Sequence, residues 1–143
     1  ENLPRTCLGR DSYDMLKLLS CDDRLRTCFD TNHLFYEDIS EYIHKVGSKL
    51  VTTHVSDFDY KNERHWLPGE GKVDWIKLID ALRSVGYEGP WLYELDYKAP
   101  ETIKRRQLTA MDFKNNYDIL MDNKIPQALG TPVEEKCVSW KER

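Results

Sequence analysis

Strand-like and helix-like segments alternate along this chain, and cation-binding residue types stand at the ends of the strand-like runs. Tyr13, Leu16 and Leu19 have helical spacing, with Asp11 or Ser12 ahead as N-cap. Arg24 to Phe29 then reads as a short strand that ends in the polar cluster Asp30-Thr31-Asn32-His33. Ile39, Tyr42, Ile43 and Val46 resume the helical period, and Gly47 sits where a helix-ending glycine belongs. Lys49 to Thr53 is rich in β-branched residues and runs into His54. A long polar loop extends from Ser56 to about Lys72. Asp74 then caps a helix with apolar positions Trp75, Leu78, Ile79, Leu82 and Val85, closed by Gly86. Trp91 to Glu94 is a further strand-like run. The spacing predicts a last helix from about Glu101 to Met121, with Leu108, Met111, Phe113, Tyr117 and Leu120 inward. From Ile125 onward, Pro126, Gly130 and Pro132 predict an extended tail.

Such alternation argues for an α/β fold with a parallel sheet. Right-handed crossovers place the C-terminal ends of parallel strands on one edge, where chemistry collects in such folds. The 143 residues exclude a complete (β/α)₈ barrel, which needs about 250. Four Trp, eight Tyr and four Phe provide core material that disordered chains lack. The formal charge of -4 gives no reason to expect nucleic acid or an anionic membrane as partner. No run approaches the roughly 20 apolar residues of a membrane span, and no basic-then-apolar opening is visible. Cys7, Cys21, Cys28 and Cys137 form no C-x-x-C pair, so reduced thiols in a cytoplasmic protein are expected.

Asp30 and His33 follow one strand, His54 the next, Glu94 ends another, and Glu1 precedes the first helix. The gaps between Glu1, Asp30, His54 and Glu94 are 29, 24 and 40 residues, the last spanning the long loop. A βα unit of a barrel takes about 31 residues, so each unit offers one ligand-type residue. Three carboxylates and an imidazole suit Mn²⁺, Mg²⁺, Co²⁺ or Zn²⁺.

Several motifs resemble the second half of the xylose isomerase-like TIM barrel superfamily. They are Glu1-Asn2-Leu3-Pro4, Cys28-Phe29-Asp30-Thr31-Asn32-His33, Thr53-His54-Val55-Ser56-Asp57, the stretch His65 to Trp75, and Gly86-Tyr87-Glu88-Gly89-Pro90 through Glu94. Sugar and sugar-phosphate isomerases and epimerases belong to that superfamily, as do inosose dehydratases and nucleases of the endonuclease IV type. The resemblance implies that residues 1–124 are four βα units forming the C-terminal half of a TIM barrel, with 125–143 a tail. It implies one divalent ion, Mn²⁺ by preference, held by Glu1, Asp30, His54 and Glu94. It also implies that His33 and His65 touch substrate.

The chemistry so implied is proton transfer next to a sugar carbonyl through a metal-stabilised enediolate, with Glu1 and Glu94 as the acid/base pair. Asp57, His65 and Arg64 are expected to line the loop above the site, and Trp66 to offer a stacking face to the sugar. Trp75 and Trp91 read as core. Phe35 and Tyr36 either wall the pocket or pack under the following helix. Cys28 is expected to point inward as a small apolar filler.

Two other readings stand beside this one. Glu63-Arg64-His65 resembles the D-R-H element of the endonuclease IV branch, which with His33 would build a further zinc position for a phosphodiesterase acting on abasic DNA. Glu at 63 departs from that pattern, and Lys104-Arg105-Arg106 is the one tight basic run, expected as a solvated helix face. A non-catalytic metal-binding half-barrel is the other. A half-barrel alone would leave strand edges unpaired. The chain is therefore expected to be a piece that is inactive by itself and needs its missing N-terminal half or self-association.

Overall fold

The structure, a computed structural model, describes residues 1–134; Cys137 and the rest of the expected tail lie outside the described residues. Three parallel strands form the central sheet in the order β1 (Thr27–Asp30), β2 (Leu50–Val55), β3 (Trp91–Tyr93). Helix α1 (Ser12–Leu19) precedes β1, α2 (Ile39–Val46) joins β1 to β2, and α3 (Trp75–Ser84) joins β2 to β3. These are βα units of a partial barrel. Helix α4 (Ala110–Met121) follows. A small antiparallel pair joins β4 (Ile103–Lys104) to β5 (Thr131–Pro132). No described helix is long and apolar enough to cross a membrane.

The core lies between one sheet face and the helices. Phe29 and Val55 meet Tyr42, Ile43, Leu78 and Ile79, and the Phe29 and Tyr42 rings stack at 5.2 Å. Alternation on the strands sends Cys28, Asp30, Thr52, His54 and Leu92 to the opposite face. That face is only partly covered, and Leu92 is 45% exposed. Caps fix the helix starts as the sequence requires. Asp11, Asp38 and Asp74 each accept backbone N–H groups of the first turn of α1, α2 and α3. Gly47 and Gly86 both take positive φ at helix ends.

The structure departs from expectation in three places. On α1 the inward residues are Ser12, Met15 and Leu19, while Tyr13 and Leu16 face outward. The reason is Glu37, which accepts from the Ser12 backbone at 2.8 Å and its hydroxyl at 2.6 Å and so turns that face inward. The last helix begins at Ala110, not near Glu101. Thr109 and Asp112 form a capping box, whereas residues 101–108 are a turn, the two residues of β4 and a non-helical connection. Arg105 is accordingly not on a solvated helix face. Its side chain is fully buried and pairs with Glu70 at 2.7 Å. Met111 and Tyr117 are also outward, and Leu108 and Leu120 are buried.

The third departure is the long loop, which is a packed unit. Asp57 and Trp66 pair as an antiparallel bridge, with N···O distances of 2.7 and 3.0 Å. The buried Asp57 carboxylate accepts from the backbone of Phe58, Gly69 and Val73 and from the Trp75 indole at 2.8 to 3.1 Å. Gly71 must be glycine, because a Cβ there would collide with the Asp57 carboxylate and the Phe58 carbonyl. Asp57→Asn puts an amide donor among these donors. We expect it to destabilise the chain by about 2 kcal/mol in urea denaturation; an unchanged midpoint would show that the carboxylate does not organise the loop.

Candidate metal centre

Strand register builds the site. Asp30 pairs with His54, and His54 with Leu92, so the ligand-type residues stand in a row across the sheet. Glu94 follows directly after β3, and its N–H donates to the Val55 carbonyl at 3.0 Å. Glu1 reaches the row from the chain start. His54 Nδ1 lies 3.1 Å from Glu1 Oε2, 3.5 Å from Glu94 Oε2 and 3.8 Å from Asp30 Oδ2. Ligand atoms of Asp30, His54 and Glu94 all fall within 4.8 Å of one another, as do those of Glu1, Asp30 and His33. The four residues expected as ligands thus converge.

Asp30 is held from an unexpected side. The buried Asn2 amide donates to the Asp30 carbonyl at 2.9 Å, and its oxygen accepts the Asp30 N–H at 2.7 Å. One side chain satisfies both backbone groups, as a neighbouring strand would. Asn2 was missed as a functional residue. The signal was its place next to Glu1, opposite Asp30.

The cluster is electrostatically incomplete as it stands. Asp30 Oδ2, His54 Nδ1 and Glu94 Oε2 are buried atoms without a hydrogen-bond partner. Such atoms are costly unless something compensates them. Burial first, then the neighbouring Glu94 carboxylate, push the Asp30 carboxyl well above the usual carboxylate range. Glu94 is held low, first by the adjacent Asp30 carboxyl. Two adjacent carboxylates tend to share a proton when no positive charge separates them. Burial and the Glu1 carboxylate push the Cys28 thiol up to about 11.

His33 and His65 border the cluster. His33 Nδ1 lies 3.0 Å from the Asn2 carbonyl, which can only accept, so Nδ1 carries the hydrogen and Nε2 is left as acceptor. His33 Nε2 is 3.9 Å from Glu63. His65 repeats the pattern, with Nδ1 3.0 Å from the Glu94 carbonyl and φ of 49°. A cavity of about 570 Å³ opens beside Glu94, lined by His65, Tyr93, Asp96 and Lys98 among others.

Two expected substrate contacts are placed elsewhere. Trp66 is 3% exposed, and its indole donates to Thr102 at 3.0 Å. The non-helical segment 101–108 supplies the cover that the loop alone would have lacked, so Trp66 joins loop to segment. Asp57 is buried under the loop, for the reason given above. Arg64 is likewise drawn in, pairing with Asp59 at 2.8 Å.

The family model described as xylose isomerase-like TIM barrel matches residues 1–113. The chain belongs to that family. Fructoselysine 3-epimerase of Escherichia coli O157:H7 is 37% identical over 59 residues, which is 41% of this chain and 22% of that protein. D-psicose 3-epimerase of Ruminiclostridium cellulolyticum is 25% identical over 122 residues, 84% of this chain and 40% of that protein. The solved structure of a D-tagatose 3-epimerase-like protein superposes with a TM-score of 0.65 at 20% identity, covering 85% of this chain and 44% of that one. That likeness bears on the fold. The chain therefore spans less than half the length of these relatives, several of which are sugar epimerases by name. Removing the Asn2 amide tests the support of the site: Asn2→Ala should cost about 2 kcal/mol of stability by urea denaturation, and an unperturbed midpoint would show the clasp to be dispensable.

Proposed function

We propose that this chain provides the cation-binding half of a sugar isomerase or epimerase, within a longer protein or an assembly that completes the barrel. The observation that supports it most is the convergence of Glu1, Asp30, His54 and Glu94, with three of their buried polar atoms unpartnered. Mn²⁺ is the proposed ion, because carboxylate oxygens dominate the set. When bound, the ion supplies Lewis-acid stabilisation of negative charge on the sugar oxygens.

The residues divide by exposure. The Asp30 side chain is fully buried, which leaves it to balance the cation's charge. Glu1 and Glu94 are 30% and 42% exposed on the open sheet face, where a sugar can reach them. They flank His54 and are the pair proposed to remove and return the proton at the carbon next to the carbonyl. His33 and His65 each present Nε2 as an acceptor for a substrate hydroxyl. Asp57 acts by positioning the loop that holds His65.

Phosphodiester hydrolysis is the weaker reading. The approach of Glu63 to His33 favours it, but Arg105 and Arg106 are engaged with Glu70 and Asp112, which reduces the basic surface a nucleic acid would need. In the complete protein, Glu94→Gln should abolish ketose turnover with Mn²⁺; near-normal turnover would remove Glu94 from the acid/base pair. The isolated chain is expected to be inactive and to self-associate, and an active monomer by sedimentation would overturn the half-barrel reading.

Proton and cation compete for the Asp30–Glu94 pair. Folded Asp30 has a raised pKa, so the folded state without cation keeps a proton that the unfolded chain releases. Stability without cation then falls as pH rises above the ordinary carboxylate range. A cation displaces that proton, so Mn²⁺ should raise the melting temperature more at about pH 8 than at about pH 6. Equal shifts at both would contradict the shared proton.

A further inference from the structure

One chemical group at this centre is left unused by the reading above. Cys28 and Asp30 lie two residues apart on β1 and face the same side, and Cys28 pairs with Thr52 where Asp30 pairs with His54. The thiol therefore stands one layer beneath the carboxylate, toward the barrel floor. Ligand atoms of Glu1, Cys28 and His54 all lie within 4.8 Å of one another. Each of Glu1 and His54 also belongs to an upper set, Glu1 with Asp30 and His33, and His54 with Asp30 and Glu94. A second observation lies within the lower set itself. His54 Nδ1, 3.1 Å from Glu1 Oε2, is a buried atom without a hydrogen-bond partner.

We propose that Glu1, Cys28 and His54 form a second cation position, selective for thiophilic ions such as Zn²⁺ and Cd²⁺. It rests on the reading that this cluster holds a cation, and adds to it a choice between ions. Hard ions favour the oxygen-rich upper set, and thiophilic ions favour sulfur. On binding, the Cys28 S–H bond releases its proton to solvent and a sulfur lone pair forms the bond to the ion, with no change of oxidation state. The two positions share Glu1 and His54, so a thiophilic ion excludes Mn²⁺ rather than adding to it.

The full chain is titrated with Co²⁺, Cd²⁺ and Mn²⁺ separately, with ultraviolet absorption and Mn²⁺ paramagnetic resonance as readouts. A sulfur-to-metal charge-transfer band with Co²⁺ and Cd²⁺ is expected. Cys28→Ser should abolish the band and weaken Cd²⁺ and Zn²⁺ binding at least about tenfold while leaving Mn²⁺ binding in place. In the unaltered chain Cd²⁺ should release bound Mn²⁺ as the band grows. If Cys28→Ser fails to fold, the chain with Cys7, Cys21 and Cys137 all changed to Ser decides the matter: the band should persist there, and its loss would overturn the position. Mn²⁺ binding with no sulfur band would overturn the thiophilic position alone. A band that survives Cys28→Ser would assign the sulfur to Cys7, Cys21 or Cys137 and also overturn it. No binding of any of these ions would overturn the metal centre and this position together.

Discussion

The pairing of Asp30 with His54 in the parallel ladder of β1 and β2 governs everything around the site. Side chains alternate on a strand, so a one-residue slip of β1 against β2 would turn Asp30 into the hydrophobic core and Phe29 into the open face, away from His54. The register is protected by what lies behind it. Phe29 stacks on Tyr42, Val55 is fully buried, and the Asn2 amide grips the free side of Asp30. The same contacts that build the core therefore aim the ligands.

That precision has an electrostatic cost. A buried carboxylate beside a second carboxylate is unfavourable in a medium of low polarisability. Asp30 offsets part of it through its bond to the Asn32 N–H at 2.7 Å, and burial beside Glu94 pushes its carboxyl above the usual carboxylate range. Asp30 thus keeps a buried oxygen without a partner, whereas the loop carboxylate Asp57 is surrounded by donors. The contrast between these two buried aspartates marks Asp57 as a residue whose bonding completes the fold and Asp30 as one whose bonding is incomplete.

That Asp30, His54 and Glu94 stand on one edge was legible in the sequence, because parallel-sheet geometry leaves few places for strand ends to go. Their reading as metal ligands came from the family resemblance. Asp11 and Asp74 could be read as caps from local spacing. Trp66, Asp57 and Arg105 could not be read, since their partners lie far along the chain. The Asp57 carboxylate bonds to a residue 18 positions away, Trp66 to one 36 away, and Arg105 to one 35 away. Nothing in local spacing signals that a polar loop will turn inward onto a non-helical segment. The phase of α1 was hidden likewise, because Tyr13 and Leu16 match the helical period as well as Met15 does until Glu37 selects the face.

Asp57 ties together parts of the chain that would otherwise lose order independently. Its carboxylate holds the Trp75 indole of α3, and its backbone holds Trp66, the neighbour of His65. The His65 ring in turn rests on the carbonyl of Glu94. A helix on the outside of the sheet and a histidine at the mouth of the site thus belong to one cooperative unit. Because Trp75 also belongs to the core shared with Phe29 and Val55, loosening the loop would disturb the packing behind the sheet together with the mouth of the site.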